Sequence, residues 1–440
     1  MKVDPQIYER PLELLQYLIR FDTTNPPGRT VECIDYIDLL LKAADYQTTI
    51  LGMDTEHLNL ITRLEGRGEA PPLLLYGHVD VVITEGQDWT YPPFAGEIAD
   101  GYLWGRGALD MKSGVAMFLS TMLRARAEGL RPAGDVIFAA LADEEVGGKY
   151  GAEYLVNEHP ELFADVEYAL GESGGYTIDI GGQRFYPIQV AEKQGLGVMA
   201  TVRGTAGHGS KVVRDGAAAK LGRMLVSLDE HLLPIHITSG LRAMVESMAA
   251  AMPEPIRSDL YKLLDPDTAE EALQTLGELE AIFAPLLRNT FNPTIIQGGN
   301  AVNVIPSSAT VNCDMRLLPG FTQEDGLAEV RQVIGDDVEL RVVYYSPNPA
   351  VPNFGMFDAL AEILRVVDSE SVPIPYLLSG VTDARFFARL GIQTYGFTPM
   401  QLPTDVDLLG TVHNADERIP VEAMDFGADL VYRAVQRYQG

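Results

Sequence analysis

Three short runs of consecutive apolar residues stand out along the chain: Leu73-Leu74-Leu75-Tyr76, Val136-Ile137-Phe138-Ala139-Ala140-Leu141 and, more weakly, Val166-Glu167-Tyr168-Ala169-Leu170. Runs of this length without alternation predict strands buried on both faces, as in a parallel sheet covered by helices. Helical patterns lie around them. Leu14, Leu15, Leu18 and Ile19 form one stripe over residues 12–20, a second helix is predicted from about Val31 to Ala44, and others near 112–128 and 150–158. Strands and helices in alternation imply an α/β layer with a mostly parallel central sheet flanked by helices. From about Phe185 the pattern changes. Over Thr310–Leu317, Val311, Cys313, Met315 and Leu317 fall on one side and Asn312, Asp314 and Arg316 on the other, as in a sheet with one wet face. Residues 237–290 read as helices rich in Ala, Leu and Glu, broken by prolines at 253, 255 and 266. The expected organisation is a discontinuous first domain, residues 1–186 and 348–440, with an α+β domain inserted at 187–347 that carries the helical stretch.

The residues directly after each apolar run bear chemistry: Gly77-His78-Val79-Asp80 after the first, Asp143-Glu144-Glu145 after the second, Gly171-Glu172 after the third. In open α/β sheets ligands bind at the carboxyl ends of the strands, so these side chains should converge. One His and four or five carboxylates meeting there point to a metal site. Cys33 and Cys313 are the only cysteines, which excludes a thiol cluster and leaves His and carboxylates as ligands. The simplest reading of Cys313 is a buried core thiol.

The charge balance narrows the partners. The chain has 440 residues, with 62 Asp plus Glu against 33 Lys plus Arg, for a formal charge of −29. That sign repels phosphate backbones and anionic lipid surfaces, so neither nucleic acid nor membrane is an expected partner. No apolar run approaches the roughly 20 residues of a membrane span. The first residues lack the apolar core of a signal peptide, so a cytoplasmic location is expected.

A hydrolytic site with two divalent metals needs a bridging carboxylate, further ligands on each metal, and a base for the water between them. His78, Asp110, Glu144, Glu145, Glu172 and His413 are available for these parts. Asp110 lies in a glycine-rich turn, Gly105-Arg106-Gly107-Ala108-Leu109-Asp110, that enters a helix. His78 and Asp80 are two residues apart at a strand end and point the same way if the strand persists. The Asp80 carboxylate can then accept a hydrogen bond from the free ring nitrogen of a ligating His78.

Several segments, in order and spacing, resemble the co-catalytic zinc metallopeptidase family of aminoacylase, acetylornithine deacetylase, succinyl-diaminopimelate desuccinylase and the carboxypeptidase G type. They are Tyr76–Val82, Trp89–Phe94, Gly101–Gly107 with Asp110-Met111-Lys112, Asp143–Gly148, Gly204–Ser210, Gly298–Pro306, Asp314-Met315-Arg316, Ser379–Arg385 and His413–Arg418. The resemblance spans nearly the whole chain outside the helical stretch. It implies a zinc-peptidase domain with an inserted lid and dimerisation domain, and two zinc ions per chain that cobalt or manganese can replace. Asp110 would bridge the ions, His78 and Glu172 completing one and Glu145 and His413 the other, with Asp80 orienting His78 and Glu144 as general base. The family also tends to a cis bond after the bridging Asp. His208 would stabilise the oxyanion, usually across a homodimer interface, and Asn303, Arg316 and Gly380 would bind substrate. Val381 stands where relatives often have Thr, which removes a hydroxyl donor. The implied activity is cleavage of an amide bond beside a free carboxylate in short peptides or N-acyl amino acids. An N-acetyl- or N-succinyl-amino-acid deacylase of amino-acid biosynthesis is the alternative, and a non-catalytic binding protein a more distant one. Trp89 and Phe94 read as structural, and His57, His159, His231 and His236 as ordinary surface or packing residues.

Overall fold

The computed structural model describes residues 3–349, 351–404 and 408–440. They form two compact units, one of Met1–Val190, Asn353–Tyr376 and Thr382–Gly440, the other of Ala191–Pro352 and Leu377–Val381. The short last piece carries Gly380.

The first unit is built on a mixed sheet. Its strands run in the order Thr48–Leu51, Asn59–Leu64, Val136–Leu141, Leu73–His78, Tyr168–Gly171, Gln393–Gly396, Gln183–Glu192 and Val372–Leu378, with Ile178–Ile180 paired to Gln183–Glu192. The four central strands are parallel, and their neighbours on either side antiparallel. Both faces of the centre are covered, which explains the unbroken apolar runs: every residue of Leu73–His78 and Val136–Leu141 is buried. Leu74, Tyr76, Ile137, Ala139 and Leu141 pack with Leu155, Phe163, Phe386 and Phe387. On the other face lies the helix Lys112–Ala127, which also packs against Pro11–Ile19 and Val421–Arg437 and is buried on almost every side. Gly77 lets that helix approach closely. A Cβ there would stand 2.6 Å from Met111 Cε, so the turn bearing Asp110 sits beside the end of the His78 strand. Each buried Leu or Ile contributes about 1.5–3 kcal/mol to holding this edge in place.

The second unit has a four-stranded antiparallel sheet in the order Thr290–Gly298, Ser308–Leu317, Gln194–Arg203 and Glu339–Ser346. Val311, Cys313, Met315 and Leu317 are buried with Ala217, Met224 and Val330 of the helices Ala217–Glu230 and Gln323–Ile334. The stretch between contains helices Ser239–Ala251, Ile256–Lys262 and Ala269–Thr275, interrupted at Pro253, Pro255 and Pro266. Leu241, Met244, Val245 and Met248 form the buried stripe of the first. Cys33 and Cys313 are free and buried.

Candidate metal centre

The parallel register brings the carboxyl ends of the central strands level, with His78 opposite Leu141. His78 is almost fully buried; its Nε2 lies 3.2 Å from Asp110 Oδ1 and 3.6 Å from Glu172 Oε2. His413 arrives from the C-terminal part of the chain, its Nε2 3.1 Å from Asp110 Oδ2 and 3.2 Å from Glu145 Oε2. Asp110 therefore turns one oxygen to each of two His and Glu pairs, and each triad could hold a metal ion. The peptide bond after Asp110 is cis. Glu145 Oε1 and Glu172 Oε1 are buried with no hydrogen-bond partner. Burying a carboxylate oxygen unpaired is costly, and a cation is the partner such a group lacks. Imidazole nitrogen with carboxylate oxygen is a donor set that suits zinc, cobalt or manganese.

The electrostatics agree with that fit. Burial, reinforced by the charge of Glu172, lifts Glu144 well above the usual carboxylate range. Burial and the neighbouring Asp110 push Glu145 up to about 7, and burial also raises Glu172. Burial would raise Asp110 too, but hydrogen bonds from His413 and His78 outweigh it and hold this carboxyl low. The bonds to Asp110 and Glu145 carry His413 to about 10. Burial pulls His78 down, yet its contacts with Asp110, Asp80 and Glu172 keep it well above its ordinary value. A cation held by such a cluster would displace protons from its His and Glu groups.

Asp80 faces both His78 and the loop after the second apolar strand. His78 Nδ1 is 3.0 Å from the Asp80 backbone carbonyl and 3.6 Å from its carboxylate, so the peptide oxygen is the closer partner. The carboxylate is turned toward the next loop: Oδ1 accepts the Glu144 N–H and Oδ2 the Glu145 N–H, each at 3.2 Å. Asn25 completes this arrangement, donating Nδ2 to Asp80 Oδ2 at 2.9 Å and to Asp143 Oδ1 at 3.0 Å. Asn25 lies in the loop Thr24-Asn25-Pro26-Pro27-Gly28, where no local sequence signal marks this role. Arg385 and Asp383 were also given no role. Both are buried; Arg385 Nη1 lies 3.9 Å from Glu144 Oε1, and neither Asp383 oxygen has a hydrogen bond. Burial pushes Asp383 up to about 8.

His208, Asn303, Arg316 and Gly380 all belong to the second unit. Gly207–His208 pairs with Val304–Ile305, and Gly209 N–H donates to the Asn303 carbonyl at 2.8 Å, so the His208 and Asn303 loops are neighbours. His208 Nδ1 lies 2.8 Å from Ser210 Oγ and accepts Ser210 N–H at 3.2 Å, so this nitrogen is occupied by its own turn. Arg316 is not a free fork. It donates Nε and Nη2 to Asp314 on the same face of its strand, at 2.8 and 3.0 Å.

The model of Peptidase family M20/M25/M40 matches residues 74–437. The chain belongs to this peptidase family. The M20/M25/M40 chain is 28% identical over 395 residues to a probable carboxypeptidase S-like 2 of Dictyostelium discoideum, covering 86% of this chain and 74% of that protein. It is 29% identical over 376 residues to an N-fatty-acyl-amino acid synthase/hydrolase of Xenopus tropicalis, covering 83% and 72%. Its fold is similar to that of an M20 family metallo-carboxypeptidase from Sulfolobus solfataricus, with a TM-score of 0.68, 18% identity and coverage of 98% and 99%. This M20/M25/M40 protein is a hydrolytic enzyme of a family with carboxypeptidase and acyl-amino-acid hydrolase relatives. Among the described residues no helix is long and apolar enough to cross a membrane.

Proposed function

We propose that the chain holds two divalent ions, zinc by preference with cobalt or manganese as substitutes, and hydrolyses the amide bond beside a free carboxylate in short peptides or N-acyl amino acids. The observation that carries this reading is Asp110, whose two oxygens face two separate His and Glu pairs as a shared carboxylate must. His78 and Glu172 would complete one ion, Glu145 and His413 the other. When bound, the ions would bring the pKa of a water toward neutrality and polarise the scissile carbonyl. Glu144 sits on the same turn as Glu145, and burial raises its proton affinity above that of an ordinary carboxylate. That poise suits a base that takes the water proton and returns it to the leaving amine. Asp80 fixes the turn through the two backbone N–H groups it accepts.

The remaining parts come from the second unit. With Nδ1 occupied, His208 presents an Nε2–H donor to the developing oxyanion, in this reading from the partner chain of a homodimer. Asn303, Arg316 and Gly380 receive the substrate carboxylate, Arg316 through the guanidinium donors that Asp314 leaves open. The free, buried thiols fit the reducing cytoplasm expected from the sequence. The test combines metal analysis with one variant. Wild-type chain should bind two ions, and Glu144→Ala should retain both while kcat falls by about 10²- to 10⁴-fold on N-acyl amino acids or dipeptides. Full turnover in Glu144→Ala, or no more than one ion in the wild type, contradicts the reading.

A further inference from the structure

Three motif stretches have no part in the chemistry above: the loop around Trp89, the turn Gly105-Arg106-Gly107, and Asp416-Glu417-Arg418. The structure joins them in one buried network. Glu417 is completely buried and collects four donors. Its Oε1 accepts Leu109 N–H at 2.7 Å and Asp110 N–H at 3.0 Å, and its Oε2 accepts Gly107 N–H at 3.0 Å and Arg106 Nη1 at 2.6 Å. The backbone of the Asp110 turn is thus wound around one carboxylate. Arg106, also buried, sets its guanidinium 5.1 Å from the centre of the Trp89 ring and donates Nη2 to Gln87 Oε1 at 2.9 Å. Gln87 then donates Nε2 to the backbone carbonyl of His413 at 2.9 Å.

The two imidazoles of the centre differ in what holds them. His78 ends a buried strand, with Nδ1 tied to a backbone oxygen. The His413 side chain is 53% exposed, and its backbone has φ 66°, a left-handed conformation that a β-carbon disfavours and that needs outside support. Gln87 supplies a hydrogen bond at that residue.

We infer that Gln87, Arg106 and Glu417 form a positioning network for Asp110 and His413, and that Gln87 selectively sets the affinity of the ion held by Asp110, Glu145 and His413. The inference rests on the two-ion reading above. Glu417 is a poor site for a first test, because its loss strands the buried Arg106 charge and risks unfolding. Gln87→Met and Gln87→Glu are better: both lack the donor to His413, and the second still offers Arg106 an acceptor. Apo full-length chain would be titrated with cobalt, following visible absorption and heat, with circular dichroism confirming the fold. Both variants should weaken one binding step about 10- to 100-fold, as loss of a ligand's supporting hydrogen bond does elsewhere, and leave the other within about twofold. An unaltered titration, equal weakening of both steps, or recovery of wild-type affinity in Gln87→Glu overturns the inference while the two-ion reading stands. A wild-type chain that takes up a single ion overturns both.

Discussion

Replacing Asp80 by Asn separates two explanations of the same residue. The Asp80 carboxylate accepts Glu144 N–H through Oδ1, and Glu145 N–H and Asn25 Nδ2 through Oδ2. An Asn keeps one acceptor and turns an NH₂ toward donors, so at least one buried N–H loses its partner. That costs about 1–3 kcal/mol, and roughly 2–4 kcal/mol once the opposed donors are included. Relaxation means moving the turn that carries Glu144. If the whole cost falls on placement of the base, 1.36 kcal/mol per tenfold converts it to a fall in kcat of about 30- to 1000-fold. The ion beside His78 should be retained, because the imidazole is oriented by the Asp80 backbone carbonyl, which the substitution leaves in place. Steady-state kinetics, metal titration and amide exchange at Glu144 and Glu145 give the three readouts. Loss of the His78 ion with both amides still protected would show that the carboxylate serves His78 after all.

Other expectations come from the same contacts. Asn25→Ala removes a donor from both Asp80 and Asp143 and should destabilise the chain by about 2–4 kcal/mol, read from the urea midpoint at constant m; a change under about 0.5 kcal/mol would mean the two carboxylates find other donors. Lys193 is buried, with Nζ donating to the carbonyls of Pro285 and Arg288 at 2.9 Å, and burial lowers it to about 7. Between pH 7 and 10.5 the unfolded chain therefore binds the extra proton, so this residue makes stability rise with pH across that window. The wild-type curve minus that of Lys193→Met should show the rise, and a flat difference refutes it. Stripping metal with a chelator should lower the melting temperature and added zinc restore it, with about 4 kcal/mol lost when free metal had stood at about 1,000 times its Kd.

The strands that carry His78, Glu144, Glu145 and Glu172 were legible because burial on both faces leaves an unbroken apolar run, and polar residues directly after such a run have little freedom. The fourth parallel strand, Gln393–Gly396, was not. Its Gln-Thr-Tyr-Gly composition is too short and polar to show a period, although Thr394, Tyr395 and Gly396 are buried. The alternation over Thr310–Leu317 was readable, whereas the ion pair that occupies part of Arg316 depends on side-chain reach along one strand face. Asn25, Gln87 and Glu417 escaped for a common reason. Their work is done on backbone groups or carboxylates brought close only by folding, across separations of 55, 326 and 307 residues, and no pattern of residue types encodes such a contact.

Asp110 and His413 face each other across 303 residues of chain. At a ribosomal rate of about 5–20 residues per second, the first half of the centre waits roughly 15–60 s for the second. Throughout that interval Arg106 has been made and Glu417 has not, so the glycine-rich turn lacks the carboxylate around which it winds. A nascent chain can therefore gather Val136–Leu141, Leu73–His78 and Tyr168–Gly171, yet the fourth parallel strand, Gln393–Gly396, and the His413 half of the centre come only near the end of this span. If the chain holds two ions as proposed, tight uptake at that half would report that the polypeptide has closed on itself.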